Sequence, residues 1–320
     1  MNRRNFLKGA SMLSLGALAA CNSKDAAATS AVSTDKGLGL QIYTLGPELT
    51  QGDLSANFQK IRSFGIKYLE LAGYNAAEHN IGGVALADFK QKAEDAGLKI
   101  ISSHVTPGAL FARGAITFAD MKEDILEAWK PIAEDHAKLG VEYLVQPMMP
   151  MSGMDNEDQV KSFADLLNET GKVVKSTGGM QFGYHNHNME FCVVTKDSTR
   201  ASMGNIFTRP RDGKMIEDIF MDNTDPQNVI FELDTYWSVM GQQDPVEWLT
   251  NRADRIHMLH IKDRMVVGQS GMLNFKNIFD KFYANGRKYF FIEIEDTNSG
   301  KQFDRLQASA QYLNESPFVK

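Results

Sequence analysis

The chain has 320 residues, 43% of them hydrophobic, and a formal net charge of −6 at pH 7. This length suits either two ordinary domains or one α/β barrel, which typically needs about 250 residues. Because a nucleic-acid-binding protein usually presents a basic surface, the acidic balance argues against nucleic acid as a partner.

The first 21 residues have the pattern of an export signal. Arg3 and Arg4 form a twin-arginine pair, and a modestly apolar run follows over residues 10–20. That run is about half the length that spans a bilayer, and it ends in Leu-Ala-Ala-Cys, which resembles a bacterial lipobox. We therefore predict that residues 1–21 are a signal peptide ending at lipidated Cys21. The protein is then exported and lipid-anchored in the cell envelope (periplasm or outer surface), and touches the membrane only through this anchor.

The segment from residue 22 to residue 36 is predicted to be a flexible tether. It consists largely of Ala, Ser, Thr and Asp, so it cannot bury enough apolar surface to order itself. The folded domain is then expected over residues 37–320. Cys192 is the one cysteine left in this part of the chain, which excludes an internal disulfide, and we interpret it as a small buried hydrophobic residue.

A short pattern of a glycine, any residue, a polar residue and a β-former recurs along the chain. Its five copies begin at Gly65, Gly97, Gly140, Gly179 and Gly286. A glycine at such a place is typical of the left-handed residue that ends a helix, and the apolar run behind it begins a buried strand. Helix, glycine and strand in repetition indicate βα units and a parallel sheet.

The segments before these glycines have helical spacing. Leu54, Phe58 and Ile61 fall on one helical face, and long helices are predicted over residues 118–139 and 158–175. The polar stretch over residues 192–228 is interpreted as an extended loop after the fifth strand, with a short helix inside it, lying over the mouth of a barrel.

Eight strands are predicted, and eight βα units close naturally into a single-domain (β/α)8 TIM barrel of the α/β class. The predicted strands start near Gly39, Ile66, Lys99, Val141, Gln181, Val229, Arg255 and Tyr289. A doubly wound open sheet is the competing architecture. It usually carries a glycine-rich phosphate-binding turn after its first strand, and residues 43–47, Tyr-Thr-Leu-Gly-Pro, contain no such turn.

Polar residues concentrate at the predicted carboxyl ends of the strands, where barrel enzymes place their reactive groups. In chain order they are Gln41, Tyr43, Glu70, His104, Gln146, His185, Asn186, His187, Glu190, Glu232, Asp234, Trp237, His257, His260, Lys262, Asp263, Glu293 and Glu295. Five of the seven histidines of the chain belong to this set. Imidazoles and carboxylates that converge on one rim are the ligands that a divalent cation requires.

Several of these residues also have a purely structural interpretation. Asp234 can cap the helix that follows it, and Lys262 can be a solvated lysine on the rim. His257 lies lower than its neighbours and is the better candidate for a structural role. Glu293 and Glu295 are two residues apart and share one face, so only one of them need bind a metal.

Taken in order, these motifs resemble the sugar phosphate isomerase/epimerase family of xylose isomerase-like TIM barrels. The motifs are Ser-Ser-His at 102–104, Tyr-His-Asn-His at 184–187, Glu-Leu-Asp-Thr-Tyr-Trp at 232–237, His-x-x-His-Ile-Lys-Asp-Arg at 257–264 and Ile-Glu-Ile-Glu-Asp at 292–296. The resemblance runs from about residue 37 to the C-terminus. It implies one Mn²⁺-like ion held by Glu, Asp, His and Glu from the ends of strands five to eight.

Carried onto this chain, the resemblance gives the metal ligands Asp234, His260 and Glu293. At strand five, His185 stands where the family has a glutamate. Its imidazole can still serve as a ligand or a base, but one of the two carboxylates of a simple epimerisation is absent. The predicted set is therefore His185, Asp234, His260 and Glu293. The cofactor is one divalent metal, Mn²⁺, with Mg²⁺, Co²⁺ and Zn²⁺ as alternatives. Although the family name mentions a sugar phosphate, we do not expect a phosphate group on the substrate, because the sequence shows no phosphate-binding motif.

The function that this resemblance implies is a metal-dependent sugar isomerase or epimerase acting on a free sugar or keto-sugar through an enediolate. The proton is expected to leave to His185, His187 or Glu295, because a histidine titrates near neutral pH. The predicted catalytic residues are His185, His187, Lys262 and Glu293. The predicted substrate-binding residues are Glu70, His104, Gln146, Trp237 and Glu295.

Three other interpretations stay open. Loss of a β-leaving group from the same intermediate would make the protein a lyase or dehydratase acting on 3-keto-glycosides or inososes. A glycan-binding lipoprotein on the same barrel would need no metal. A metal-dependent DNA-repair nuclease of similar fold is disfavoured by the acidic charge and the export signal. The predicted partner is a small carbohydrate, and the oligomeric state is left open.

Overall fold

The computed structural model describes residues 36–111, 117–150, 152–196, 213–295 and 300–320. Within these ranges eight parallel strands form a closed barrel. The strands are β1 Leu38–Gln41, β2 Tyr68–Leu71, β3 Lys99–His104, β4 Tyr143–Gln146, β5 Gln181–His185, β6 Val229–Asp234, β7 Ile256–Ile261 and β8 Tyr289–Ile292. Each strand pairs with the next in the chain, and β1 pairs with β8. The predicted (β/α)8 barrel is confirmed, and the open doubly wound sheet was wrong.

Helices cover the outside of the barrel. They are α1 Leu54–Ser63, α2 Leu86–Asp95, α3 Phe118–Leu139, α4 Glu157–Gly178, α5 Ile216–Asn223, α6 Thr235–Met240, α7 Pro245–Asn251, α8 Phe275–Ala284 and α9 Gln302–Glu315. Helix α3 has the predicted bounds, and α4 contains the helix predicted over residues 158–175. Gly140 and Gly179 end these two helices with φ of 78° and 74°, which is the left-handed conformation that glycine adopts without strain.

The strands carry two different faces. Outward residues such as Leu69, Phe182 and Phe290 belong to the large core between the strands and the helices. Inward residues form a smaller core inside the barrel, whose members are Ile101, Val145, Ile230, Met258, Tyr289 and Phe291. Because side chains alternate along a strand, the inward series of β7 continues from Met258 to His260 and Lys262. The inside of the barrel therefore changes from apolar to polar towards its mouth, by which we mean the end where the strands finish.

The described chain begins at the opposite end of the barrel from the mouth. The ammonium of Lys36 donates to the carbonyl of Leu313 at 3.3 Å and to the carbonyl of Ser316. Lys36, the last residue of the predicted tether, is thus part of the folded domain. The predicted signal peptide, lipidated Cys21 and residues 22–35 lie outside the described residues. In the described parts of the chain, no helix has the length and apolar character needed to cross a bilayer.

Two loops at the mouth have secondary structure of their own. After β2, Tyr74–Asn75, Asn80–Ile81 and Val84–Ala85 form a three-stranded antiparallel sheet that the sequence analysis did not predict. After β5, Val193–Val194 pairs with Lys214–Met215, and α5 is the short helix expected in this region. Residues 197–212 of that loop lie outside the described residues.

The outer core predicts a large stability effect at one position of α3. Trp129 is fully buried, and its ring meets Phe182 edge to face at a centroid distance of 5.3 Å. We expect Trp129→Ala to lower the free energy of unfolding by about 3–5 kcal/mol, because it leaves a cavity against β5. Urea denaturation followed by circular dichroism measures this.

The matched control is Lys130→Ala on the same helix. Lys130 forms an ion pair with Glu127 and both side chains are largely exposed, so its loss should change the unfolding free energy by no more than about 0.5 kcal/mol. Equal effects of the two substitutions would contradict the placement of Trp129 in the core.

Candidate active site

Seven side chains from six strands meet at the mouth and form what we term the acid–imidazole cluster. Its members are Glu70, His104, His185, Glu232, Asp234, His260 and Glu293. All are buried except His104, which is nearly so. The alternation of side chains points each of them inward from a strand end, so residues far apart in sequence come into contact.

His260 lies at the centre of the cluster. Its Nε2 is 2.6 Å from Oε2 of Glu70, and its Nδ1 is 2.7 Å from Oε2 of Glu293. A neutral imidazole donates from one nitrogen only, so both contacts are hydrogen bonds only when His260 is protonated. Burial lowers the pKa of His260, but Glu232, Glu70 and Glu293 outweigh burial and hold that pKa well above its usual value.

Glu232 is surrounded by three imidazoles. Its Oε2 lies 2.8 Å from Nε2 of His104, 3.2 Å from Nε2 of His260 and 3.3 Å from Nδ1 of His185. Burial raises the pKa of Glu232, but the contacts with these histidines outweigh burial and bring the pKa well below its ordinary value. Sequence reasoning left Glu232 out of the site. Its position two residues before Asp234, on the same inward face of β6, is the signal that identifies it.

Lys262 is fully buried among carboxylates. Its Nζ lies 3.1 Å from Oδ2 of Asp234, 2.7 Å from Oε2 of Glu293 and 2.6 Å from Oε1 of Glu295. Burial lowers the pKa of Lys262, but these three acids outweigh burial and raise it. The alternative of a solvated rim lysine is therefore wrong, and Lys262 is a permanent charge within the site.

The structure brings the four predicted metal ligands together. One donor atom from each lies within 4.8 Å of every other, and the four are His185, Asp234, His260 and Glu293. A second group with the same property shares two of these residues and consists of His104, His185, Glu232 and His260. Oδ2 of Asp234 and Nδ1 of His185 are buried and form no hydrogen bond among the described residues, although they lie 3.1 Å from Nζ of Lys262 and 3.3 Å from Oε2 of Glu232. A bound cation would satisfy atoms of this kind.

The charge balance of the mouth also fits a cation. Five carboxyl groups lie here, on Glu70, Glu232, Asp234, Glu293 and Glu295, and Lys262 is the one lysine or arginine that forms an ion pair with any of them in the described parts of the chain. Carboxylate oxygens and imidazole nitrogens are ligands for Mn²⁺, Zn²⁺ and related ions. The residues present therefore suit a divalent metal, whose identity they leave open.

A second group of predicted residues forms one side of the mouth. The indole Nε1–H of Trp237 donates to Oε1 of Glu295 at 3.2 Å, and the Trp237 ring lies 5.5 Å from that of His187. Burial, followed by the charge of Lys262, lowers the pKa of His187 to about 4. His187 is therefore neutral near pH 7 and has a lone pair that can accept a proton.

Asp234 has the capping role foreseen for it in addition to its place in the cluster. Its Oδ1 accepts from the backbone N–H of Trp237 at 2.8 Å, which makes Asp234 the N-cap of α6. Its backbone N–H donates to Oδ1 of Asn186 at 3.0 Å. Asn186 thereby ties the loop after β5 to the end of β6.

Two residues named from the sequence do not join the cluster. Gln146 pairs in register with Tyr184, a member of the outer core, and its amide donates to the carbonyl of Met148 at 3.1 Å. The role of Gln146 in binding a substrate hydroxyl stays a prediction. His257 stands near the start of β7, where its Nε2 lies 3.2 Å from the carbonyl oxygen of Asp254. Its position away from the mouth agrees with the structural role proposed for it.

The loop after β5 is held by a buried carboxyl group. Oε1 of Glu190 accepts from the Tyr184 hydroxyl at 2.6 Å, and its Oε2 accepts from the backbone N–H of His187 at 2.8 Å. Glu190 therefore positions the segment that carries His187. Burial raises the pKa of Glu190 to about 7, although these hydrogen bonds oppose the rise.

Comparisons with known proteins agree with the fold. The family model described as xylose isomerase-like TIM barrel matches residues 58–316. Two solved structures from Parabacteroides distasonis ATCC 8503, both described as a sugar phosphate isomerase/epimerase, are similar to the chain. The first is 47% identical with a TM-score of 0.79 and covers 89% of this chain and 100% of its own. The second is 40% identical with a TM-score of 0.81 and covers 91% and 100%.

A more distant structure shares the fold. D-psicose 3-epimerase from Clostridium cellulolyticum H10 is 14% identical, has a TM-score of 0.63, and covers 89% of this chain and 100% of its own. At this identity the likeness extends to the fold alone. Among curated proteins no sequence matches the chain.

The raised pKa of Glu190 predicts a pH-dependent stability. A carboxyl group that keeps its proton in the folded state stabilises that state fully below its unfolded pKa of 4.5, and this contribution is lost as the pH rises through about 7. In Glu190→Gln the amide is neutral at every pH; its oxygen can accept from the His187 N–H, while its NH2 donates to the Tyr184 hydroxyl, so that this second hydrogen bond reverses its direction. We expect wild type and variant to be similarly stable at pH 4.5, and the variant to be more stable at pH 8 by up to about 3 kcal/mol.

Urea denaturation of both proteins at the two pH values measures this difference. Comparing the two proteins cancels the titration of every other group. A stability difference that is the same at both pH values would show that Glu190 is ionised in the folded state throughout.

Proposed function

The chain belongs to the family of xylose isomerase-like TIM barrels, and on this premise we propose that it is a divalent-metal-dependent sugar isomerase or epimerase. The observation that carries the proposal is the set of four donor atoms, from His185, Asp234, His260 and Glu293, within 4.8 Å of one another at the mouth. Buried, unpaired donor atoms in that set support a metal, and the mouth of a barrel is where such enzymes bind substrate.

When bound to these four residues, a divalent cation would act as a Lewis acid for a sugar carbonyl. The neighbouring residues prepare the ligands for it. Glu70 accepts from Nε2 of His260 and receives a hydrogen bond from the amide of Gln41 at 2.9 Å. With a cation in place His260 would be neutral, and donation from Nε2 to Glu70 would then fix its tautomer and leave the lone pair of Nδ1 free to be a ligand. Oε2 of Glu70 also lies 3.2 Å from Nε2 of His104, so this oxygen positions the two imidazoles, whereas Oε1 forms no hydrogen bond among the described residues. The predicted contact of Glu70 with a substrate hydroxyl, through Oε1, stays a prediction.

We assign the proton transfer to His187. Of the three candidate bases, His185 belongs to the ligand set and Glu295 is paired with Lys262 and Trp237. His187 has a partly exposed, neutral imidazole whose Nδ1 has no hydrogen-bond partner among the described residues. It would take the proton from the carbon next to the carbonyl and deliver it to the former carbonyl carbon in an isomerisation, whereas in an epimerisation the proton would return to the opposite face of the same carbon.

Lys262 and Trp237 complete the proposed site. The three carboxylate contacts of Lys262 support a role in holding Asp234, Glu293 and Glu295 in place, while its charge stabilises negative charge that develops on the substrate. The partly exposed ring of Trp237 would pack against the sugar. The mouth is reached from the solvent near His104, His187 and Glu295, which are the partly exposed members of the site.

Export and lipid anchoring are also proposed. The sequence signal at residues 1–21 supports them. Lys36 enters the barrel at the end opposite the mouth, which is compatible with a tether. A chain that enters the domain at that end leaves the mouth open to substrate.

The metal proposal is tested with two matched substitutions. Asp234→Asn keeps an oxygen that caps α6 but removes the charge from the donor set, and we expect it to weaken Mn²⁺ binding by roughly 100-fold or more. Asp244→Asn changes the N-cap of α7, whose Oδ1 accepts from Val246 N–H at 2.8 Å on the surface, and should leave Mn²⁺ affinity unchanged. Isothermal titration calorimetry on metal-stripped protein measures both.

Equal Mn²⁺ affinity in Asp234→Asn and wild type would overturn the ligand assignment. A protein that binds no divalent metal at all, yet still binds glycans, would support the glycan-binding alternative. A product that lacks the leaving group of a 3-keto-glycoside would identify the lyase.

The assignment of the base is tested by isotope exchange. With a panel of ketoses and 3-keto-glycosides in D₂O, wild-type protein should incorporate deuterium at the carbon next to the carbonyl. His187→Gln should slow this exchange by about 10²-fold or more, whereas His257→Gln, at the far end of β7, should not alter it. NMR of the recovered sugar gives the rates, and unchanged exchange in His187→Gln would move the base to His185 or Glu295.

A further inference from the structure

A second group of candidate ligands lies within the acid–imidazole cluster, and the proposed metal site leaves part of it unused. One donor atom from each of four residues lies within 4.8 Å of every other, and the four are His104, His185, Glu232 and His260. His104 and Glu232 belong to this group and not to the predicted ligand set. They come from the ends of β3 and β6, and Nε2 of His104 is 2.8 Å from Oε2 of Glu232. A cation bound by the predicted set therefore leaves two further donor residues in contact with each other.

Three imidazole nitrogens crowd one oxygen of Glu232. Oε2 lies 2.8 Å from Nε2 of His104, 3.2 Å from Nε2 of His260 and 3.3 Å from Nδ1 of His185. A carboxylate oxygen has about two lone-pair sites, so three hydrogen bonds exceed the capacity of Oε2. The other oxygen, Oε1, is buried and forms no hydrogen bond among the described residues. The nitrogens therefore converge on one point, as metal ligands do, and do not divide between the two oxygens as hydrogen-bond donors would.

The distances suit a cation of the Mn²⁺ or Zn²⁺ type. Around a tetrahedral ion with bonds of about 2.0–2.2 Å, neighbouring donor atoms are about 3.3–3.5 Å apart. The contacts of Glu232 with His185 and His260 have nearly this length. The contact with His104 would have to lengthen by about 0.5–0.7 Å. Because His104 is partly exposed, a small movement of its side chain would make room for an ion.

The two histidines that belong to both groups present one nitrogen to each side. His185 directs Nδ1 to Glu232 at 3.3 Å and Nε2 to Asp234 at 3.9 Å. His260 directs Nε2 to Glu232 at 3.2 Å and Nδ1 to Glu293 at 2.7 Å. A neutral imidazole has one lone pair for a metal, because its other nitrogen carries a proton. Two ions can therefore share the rings, with His260 binding an ion beside Asp234 and Glu293, and Nδ1 of His185 binding an ion beside Glu232.

The charges divide in the same way. Asp234 and Glu293 both contact the ammonium of Lys262. In the described parts of the chain, Glu70 and Glu232 form ion pairs with histidines alone. Since an imidazole that ligates a cation is neutral, these two fully buried glutamates have no permanent positive partner. Their two negative charges are what one further divalent cation would balance, and leaving them unbalanced is very unfavourable.

We propose that the cluster binds a second divalent metal ion, at an inner site formed by Nε2 of His104, Nδ1 of His185 and the carboxylate of Glu232. The outer site then consists of the remaining three predicted ligands, Asp234, His260 and Glu293. This proposal rests on the proposed function only for the ion at the outer site. Two imidazoles among three ligands favour Mn²⁺, Zn²⁺ or Co²⁺ over Mg²⁺ and Ca²⁺. Three protein ligands leave an open position, and a substrate can reach it beside the partly exposed His104.

The number of bound ions tests the proposal. Metal-stripped protein is titrated with Mn²⁺ and, in a separate series, with Zn²⁺, and elemental analysis gives the number of ions per chain. We expect two ions per chain with at least one of these metals. When both sites hold Mn²⁺, the two ions should broaden each other's electron paramagnetic resonance spectrum, because they lie on opposite sides of one imidazole ring.

The variants assign each ion to its ligands. Glu232→Gln keeps the size of the side chain and removes its charge, and it should weaken binding of the inner ion by roughly 100-fold or more while the outer ion stays bound. His104→Asn should have the same effect and changes a partly exposed residue, so it keeps the test valid if Glu232→Gln fails to fold. Asp234→Asn should remove the outer ion and keep the inner one. The matched control is Glu217→Gln, a buried glutamate of α5 that belongs to neither site, and it should bind two ions.

The outcomes separate this proposal from the proposed function. One ion per wild-type chain with both metals, lost in Asp234→Asn and kept in Glu232→Gln, would overturn the inner site and leave the proposed function in place. Two ions in both Glu232→Gln and His104→Asn would overturn the inner ligand assignment. A single ion that is lost in Glu232→Gln and kept in Asp234→Asn would support the inner site and refute the outer one. A chain that binds neither metal would refute both.

Discussion

The burial of several carboxyl groups in one small volume is the constraint on which the site depends. Glu70, Glu232 and Asp234 have no exposed surface, and an isolated ionised carboxylate is very unfavourable in such surroundings. Three imidazoles and the ammonium of Lys262 compensate these charges through direct contacts. Oδ2 of Asp234 and Nδ1 of His185 are among the buried atoms that form no hydrogen bond within the described residues and make ion-pair contacts with Lys262 and Glu232, and a cation would complete the balance there.

The burial of so many charges is unfavourable for folding, and the apolar core beneath the cluster compensates for this cost. Beneath the polar layer the inside of the barrel is filled by apolar and aromatic side chains, where the ring of Tyr289 packs against Tyr68 at 5.2 Å and Tyr143 at 6.2 Å. Around it, the outer core between strands and helices buries a far larger apolar surface. The stability gained there allows an active site whose charges are arranged for binding rather than for folding.

The sequence was sufficient to predict the fold and to predict that His185, Asp234, His260 and Glu293 lie close together, and both predictions have the same basis. Helical spacing and left-handed glycines reveal βα units, and once a barrel is assumed, the ends of all strands meet at one place. What could not be predicted depends on distances between residues far apart in the chain. His260 and Glu70 are 190 residues apart and in contact. The burial of Lys262 was left open because lysine is rarely buried without partners, and its partners come from two other strands.

The histidine at the end of β5 has a consequence for the chemistry. The resemblance implies three carboxylates and one imidazole in the donor set, whereas this chain offers two of each, because His185 replaces a glutamate. Two carboxylates just match the charge of a divalent cation, and Lys262 adds a further positive charge to Asp234 and Glu293. When the ligands carry no more negative charge than the cation carries positive charge, the site keeps a more positive potential. This potential stabilises a substrate that becomes an anion. The proton would then be removed by a neutral base beside the ligand set and not by one of the ligands. His187 has this position.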